Sequence, residues 1–480
     1  MTGIPSPPES GAPETTEARE PAQSGSSLSH GLKQRHLSMI ALGGVIGAGL
    51  FVGSGQGIVA AGPSIVLAYA ASGILVMLVM RMLGEMSAAN PASGSFSVHA
   101  ERMIGPWAGF TAGWVFWTLL CVAVAAEGIG AAHIMTEWFP STDSWMWVAL
   151  FMLMFTGSNL AAVGNFGEFE FWFATLKVAA IAAFLVLGVL AILGVLPGTD
   201  APGTSNLTGH GGFFPQGTEG LVTGLLASVF AYGGLETVTI AAAESEHPRK
   251  GVARAVRTAM WRIALFYVGS LLVVVTLLPW NDKSVTDKGP YVAVLNHLDI
   301  PGAGQIMNVV VLVALLSAMN ANIYGSSRIA YSLVARNQGP RLLGKLSSGG
   351  VPRYAVVASA SFGFFAVLLS YWWPTTVFKW LLNMVGAATL VVWGFIAVSQ
   401  LRGRRRTPQD QLLVRMWLFP YLTWAAIAGI VAVLALMLRE DDTRIQLYFT
   451  GGLTIVLAVT GYLRQRLTAA RRAEAAAATS

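Results

Sequence analysis

Charge is scarce in this sequence. Only 11% of its 480 residues are Asp, Glu, Lys or Arg, against roughly 25% in a soluble globular chain, and a water-facing surface cannot be built from so little. Cysteine is scarcer still. The single residue, Cys121, sits in an apolar run, which excludes internal disulfides and leaves packing as its expected role. The seven histidines (His30, His36, His99, His133, His210, His247 and His297) fall in the ends, in loops or near the ends of apolar runs. No two are spaced as metal ligands on one helix, and no apolar run holds a nucleophile beside a base. These absences argue against a membrane enzyme. A channel is disfavoured too, because the apolar runs carry no continuous polar lining or ring of charge.

What the sequence does contain is hydrophobic length: 54% of it is apolar. Runs of about 20 residues, long enough to cross a bilayer, recur near 37–61, 63–84, 104–136, 145–164, 168–197, 217–244, 256–280, 303–335, 354–372, 376–400, 413–438 and 445–463. So many uniformly apolar helices cannot share one soluble core. The expected fold is therefore an all-α membrane protein of about twelve transmembrane helices. Residues 1–36, rich in Pro, Ser, Glu and Gly, have too little apolar surface to offset the entropy of ordering and are expected to be a disordered cytoplasmic tail. No basic n-region with a short apolar run and cleavage site opens the chain, so the first span is expected to be a retained helix. Residues 464–480, rich in Ala and Arg, are expected to be a cytoplasmic tail, either a short surface helix or disordered.

Most of the 30 Lys and Arg residues fall at the two ends and in alternate loops, which predicts that both termini are cytoplasmic. The net charge of +6 is then topological. The clusters Arg249/Lys250/Arg254/Arg257 and Arg402/Arg404/Arg405/Arg406 flank spans and read as contacts to anionic lipid headgroups, with no nucleic-acid footprint.

Function inside a bilayer shows where a segment departs from a plain apolar helix, since unsatisfied backbone and bare charge are costly there. One departure is glycine. Gly43, Gly44, Gly47, Gly49, Gly53 and Gly55 crowd the first span, and the sixth is broken at Phe230-Ala231-Tyr232-Gly233-Gly234-Leu235-Glu236. Each glycine costs about 1 kcal/mol in a helix relative to alanine, so such density means close helix packing or local unwinding. The two breaks occupy the same place in two blocks of five spans, which favours unwinding at a midplane site. Unwound backbone offers bare N–H groups to a carboxylate and bare carbonyls to an ammonium group, the two ends of an amino acid. The candidate donors are Gly47, Ala48 and Gly49, preceded by Val45 and Ile46. The candidate acceptors are the carbonyls of the Tyr232–Gly234 region, beside Phe230 and Ala231.

The other departure is charge. Three ionisable side chains are placed well inside spans: Glu127 in the third, Lys177 in the fifth and Glu236 in the sixth. Lys177 lies about 13 Å into its span at 1.5 Å per residue, a long reach for snorkelling, and a desolvated lysine can exchange its proton. Glu127 either pairs with a substrate amine or hydrogen-bonds a neighbouring helix. Glu236 follows the break, where it either caps exposed N–H groups or carries a proton.

Taken with these residues, the segments Gly31-Leu32-Lys33-Gln34-Arg35-His36, Gly44–Phe51, Met80-Arg81-Met82-Leu83-Gly84-Glu85-Met86, Gly94-Ser95-Phe96-Ser97, Gly105-Pro106-Trp107-Ala108-Gly109, Phe169–Lys177 and Glu244-Ser245-Glu246-His247-Pro248-Arg249-Lys250 resemble the amino acid–polyamine–organocation superfamily. Within it they resemble bacterial permeases for GABA, proline, asparagine and aromatic amino acids. The resemblance implies a 5+5 inverted repeat, residues 37–197 and 198–400, with two additional C-terminal helices over 401–463, in the inner membrane. It implies alternating access and a substrate site between the first, third, sixth, eighth and tenth helices, the eighth contributing Ser317-Ala318-Met319-Asn320. By analogy Phe230 closes over bound substrate, and Lys177 sits near the ion site of sodium-driven relatives, where its ammonium favours coupling to protons. The family usually has Asn where this chain has His247. The expected function is proton symport of a neutral amino acid such as GABA or proline, with no cofactor and no metal. An exchanger or a transporter-like membrane sensor is the alternative.

Overall fold

The computed structural model describes residues 46–92, 94–161, 166–197, 201–239, 247–347, 349–373, 376–408 and 412–479. Among the described residues the chain is helical, without strands. A π-helical turn, Gly49–Gly53, leads into α1 (Ser54–Ala61). Gly62, at φ 62°, and Pro63 then reverse the chain through a single 3-10 turn into α2 (Ile65–Ala89). The left-handed φ suits glycine. There follow α3 (Pro106–Trp138), α4 (Ser144–Ala161), α5 (Phe166–Ile192) and α6 (Gly217–Tyr232). Helix α7 (Pro248–Arg262) continues through a π-helical stretch, Ile263–Gly269, into Ser270–Leu277. The remaining long helices are α8 (Ala303–Ala335), α9 (Arg353–Trp372), α10 (Val377–Gly403), α11 (Tyr421–Arg439) and α12 (Asp441–Thr479). Helix α12 runs unbroken through the segment expected to be a tail.

Eleven helical stretches among the described residues are long and apolar enough to cross a membrane. One of them, Gly49–Ala89, holds the turn at Gly62 and so carries the first two predicted spans. The outer surface is oily: Ile74, Leu153, Trp172, Phe365 and Val456 are all exposed, as lipid-facing positions should be. Aromatic rings gather where α4 begins, α9 ends and α10 begins, with Trp145 against Tyr371 and Trp373 against both Trp372 and Trp380. That is the amphipathic belt expected at a membrane interface.

The helices pack as two groups. Helices α1, α2, α6 and α7 lie against one another, as do α3, α4, α8 and α9. Helix α10 touches both groups through α3 and α6. Helix α5 bridges them as well, packing on α8 on one side and on Ser270–Leu277 of α7 on the other. One end of the bundle is tied by Glu85, buried on α2. Its carboxylate accepts from Gln400 Nε2 at 2.8 Å, Arg404 Nη1 at 2.5 Å and the Met416 N–H at 2.6 Å, joining α2 to α10 and to the chain entering α11.

Candidate functional site

The first-span backbone enters the described region without helical geometry at Ile46 and Gly47. The Leu50 and Phe51 N–H groups both donate to the Gly47 carbonyl at 3.2 Å, closing the first helical turn, in which the Ala48 N–H has no acceptor within the helix. That N–H donates to Glu127 Oε2 of α3 at 2.9 Å. Gly47 makes the approach possible: a Cβ there would lie 2.8 Å from Glu127 Cδ and Oε2 and would overlap Oε1. Gly49 serves contact with α6, since a Cβ there would come within 2.6 Å of the Ala231 Cα and 3.0 Å of the Phe230 ring. A non-helical backbone at Ile46 and Gly47 and close packing at Gly49 thus occur side by side.

The sixth-span break is as abrupt. Helix α6 ends at Tyr232, Gly233 turns to ψ 141° and Gly234 takes φ 88°, after which short turns from Gly234 to Thr239 resume the helical direction. Glu236 lies in the break, fully buried. One oxygen of its carboxylate accepts from the Trp393 indole of α10, and the other, Oε2, has no hydrogen-bond partner among the described residues.

Between the two breaks lies a cavity of about 40 Å³. Gly49, Glu127, Phe230, Ala231, Gly233 and Gly234 are the predicted residues that line it, and α8 and α10 contribute Ala318, Asn322 and Val385. With a water needing roughly 10–15 Å³ of such volume, the space admits about three waters. An amino acid therefore requires the surrounding helices to move apart. A larger cavity of about 390 Å³ lies on the predicted extracellular side, where Phe51, Gln56, His133, Glu137 and Lys288 are among its walls. A cavity of similar size, about 400 Å³, lies on the predicted cytoplasmic side beside Arg81, Lys250 and Arg257, so the central site is nearly closed between two wider spaces.

Other predicted residues lie elsewhere. The Tyr232 side chain leaves the cavity: its hydroxyl donates to the Tyr69 carbonyl at 3.0 Å and its ring packs on Tyr69 and Tyr267, fixing α6 to α2 and α7. Ile46 is buried in the core, and Val45 lies outside the described residues, as do Glu244, Ser245 and Glu246 of the loop motif. Lys177 is fully buried on α5, 3.9 Å from Glu170 Oε1, with Glu127 and Arg262 within Coulomb range. Ser317, expected to face that region from α8, donates to Glu170 Oε2 at 2.8 Å.

Four further ionisable side chains, Glu85, Glu170, Arg262 and Arg328, are buried as well. Glu170 had a usable signal: it precedes Lys177 by seven residues, two helical turns on one face. Leu119, Ala123, Thr237 and Ala321, which also line the central cavity, carry no such mark in the sequence.

A bundle of lipid-facing helices around a small, nearly closed central pocket, with the sixth-span helix interrupted beside it, is the design of a membrane transporter. The amino acid permease family matches residues 36–473, and the chain belongs to it. It is a multi-pass membrane permease and not an enzyme. Among its relatives, the gamma-aminobutyric acid permease of Bacillus subtilis is 46% identical over 91% of this chain and 94% of its own length. The gamma-aminobutyric acid permease of Escherichia coli is 43% identical over 90% and 93%. The aromatic amino acid transport protein of Corynebacterium glutamicum is 46% identical over 89% and 93%. A crystal structure of the Eremococcus coleocola manganese transporter has the same fold, with a TM-score of 0.57, 15% identity and coverage of 90% of this chain and 94% of that one.

Proposed function

We propose that this permease imports GABA or a similar small zwitterionic amino acid by proton symport, working by alternating access in the cell membrane. In this reading α1–α5 and α6–α10 form two inverted repeats, α11 and α12 complete about twelve spans, and both termini are cytoplasmic. The observation that carries it is the bond from the Ala48 N–H to the Glu127 carboxylate. A carboxylate already occupies the donor exposed by the unwound first span, and a substrate carboxylate is the same chemical group. Substrate displaces Glu127, which turns to face the substrate ammonium, assisted by carbonyls at the sixth-span break. GABA carries its two charged groups at the ends of a short unbranched chain, which suits a narrow cavity flanked by Phe230 and Val385.

The second reading is transport of an aromatic amino acid, favoured by the equal similarity to the Corynebacterium glutamicum protein. It demands a wider opening of the same cavity. Proton coupling is assigned to Lys177, whose burial between the two helix groups lets its charge bias their relative position. Glu236, held by Trp393, is assigned a supporting structural or proton-carrying role.

The test is uptake by protein in liposomes of GABA, proline, asparagine, phenylalanine, lysine, arginine and glutamate, with and without an inward proton gradient and with choline replacing Na⁺. Gradient-driven, Na⁺-independent uptake of GABA supports the proposal. Phenylalanine uptake without GABA uptake establishes the second reading, exchange without accumulation indicates an exchanger, and no uptake of any substrate by folded protein indicates a sensor.

A further inference from the structure

We propose that Glu170 is the proton-holding partner of Lys177, so that the coupled proton belongs to the pair and leaves it through Glu170 toward the beginning of α5. This deepens the proton-symport reading and rests on it.

Three observations carry it. Glu170 is a carboxylate with 1% exposure, while Phe169 and Trp172 on the same helix turn outward with 57% and 63%; its inward placement is a property of the helix face. The Lys177 side chain runs back along α5 to bring Nζ within 3.9 Å of Glu170 Oε1, although the two residues stand about 10 Å apart along the axis. The other carboxylate oxygen, Oε2, accepts from Ser317 Oγ of α8 at 2.8 Å, which fixes the orientation of the group. Both groups are buried, and Glu170 is the acid that the lysine head group faces; its backbone stands two turns nearer the helix start, so it is the member of the pair on the side toward which the proton would leave.

The step balances simply. The Lys177 ammonium gives H⁺ to the Glu170 carboxylate, forming a neutral amine and a neutral carboxylic acid, and the acid then releases H⁺ toward the N-terminal end of α5, the predicted cytoplasmic side. No net charge is created in the bundle during the transfer, which is the form of proton movement that a low-dielectric interior tolerates best. The pair also stands where it can influence the helices. Helix α5 packs between α8 and the Ser270–Leu277 segment of α7, one from each helix group, and Ser317 ties the carboxylate to α8. The charged groups around the pair are Glu127 from α3 and Arg262 from α7, both within Coulomb range of Lys177. Neutralising the pair therefore alters the electrostatic contact between the groups whose relative movement opens the central cavity.

The experiment compares wild type, Glu170→Gln, Glu170→Asp and Ser317→Ala in liposomes, measuring gradient-driven GABA accumulation, GABA exchange at equal pH, and the pH profile of net uptake. Glutamine keeps the volume and still accepts from Ser317 but cannot take a proton. Expected for Glu170→Gln is a fall of ten-fold or more in accumulation, exchange within about three-fold of wild type and a flattened pH profile. Glu170→Asp should restore part of the accumulation. Wild-type accumulation and pH profile in Glu170→Gln overturn the proposal while leaving proton symport intact. Loss of exchange together with accumulation, not relieved by aspartate, also overturns it and makes Glu170 a packing residue. If Glu170→Gln does not fold, Ser317→Ala decides: a shifted pH midpoint with exchange retained supports the proposal, and an unchanged midpoint refutes it. A wild type whose GABA accumulation ignores the proton gradient refutes the symport reading itself, and is told apart by needing no variant.

Discussion

Replacing Gly47 by alanine is a small change with a defined victim. The added Cβ would stand 2.8 Å from Glu127 Cδ and Oε2 and would overlap Oε1, whereas ordinary contact begins near 3.4 Å. The neighbour is the flexible end of a side chain, so the carboxylate retreats while the backbone stays, and the 2.9 Å bond from the Ala48 N–H is lost. A hydrogen bond to a charged group contributes about 1.5–3 kcal/mol, which at 1.4 kcal/mol per ten-fold corresponds to roughly 10- to 100-fold; since substrate has to displace this same bond, its loss should tighten apparent substrate affinity by up to that factor. Kinetics of GABA uptake in liposomes should show the lowered KM, while thermal unfolding in detergent changes little. Gly128→Ala is the internal comparison, one residue beyond Glu127, where a Cβ meets Met319 Sδ and Val148 Cγ1 at 3.6 Å and should be tolerated. If Gly47→Ala transports within two-fold of wild type, the contact between the unwound first span and Glu127 plays no part in the cycle.

Other outcomes test the same account. Gly49→Ala meets backbone, the Ala231 Cα at 2.6 Å, and should therefore lower the unfolding temperature as well as activity, separating it from Gly47→Ala. Lys177→Ala should abolish proton-driven accumulation while substrate exchange survives, and undiminished uphill uptake would refute the coupling role. Glu85→Ala leaves Arg404 and Gln400 without the buried carboxylate they share; removing one partner of such a pair costs about 3–5 kcal/mol, to be read as a loss of thermal stability. Asp282→Ala removes the side chain that accepts the Ser284 N–H at 2.8 Å at a helix start and should cost about 1 kcal/mol, with transport unaffected.

The sequence by itself determined the class of this protein, because a hydrocarbon solvent permits so few solutions. Low charge and repeated apolar runs leave a helical bundle, and the breaks around Gly47 and Gly233 were legible because glycine density has a cost that a plain span never incurs. Lys177 was legible for the same reason. What only the tertiary structure decided is which neighbours these residues have. Nothing local distinguishes Glu127 as the acceptor for Ala48, 79 residues away, or separates Tyr232, whose hydroxyl turns to Tyr69, from Phe230 beside it, which lines the cavity. Glu170 reads as an end-of-span residue until α8 brings Ser317 against it. Apolar periodicity reports how deep and how oily a segment is. Pairing depends on the rotation of each helix about its axis, and in a bundle polar at its centre and oily all around, that rotation is fixed by contacts between segments far apart in the chain.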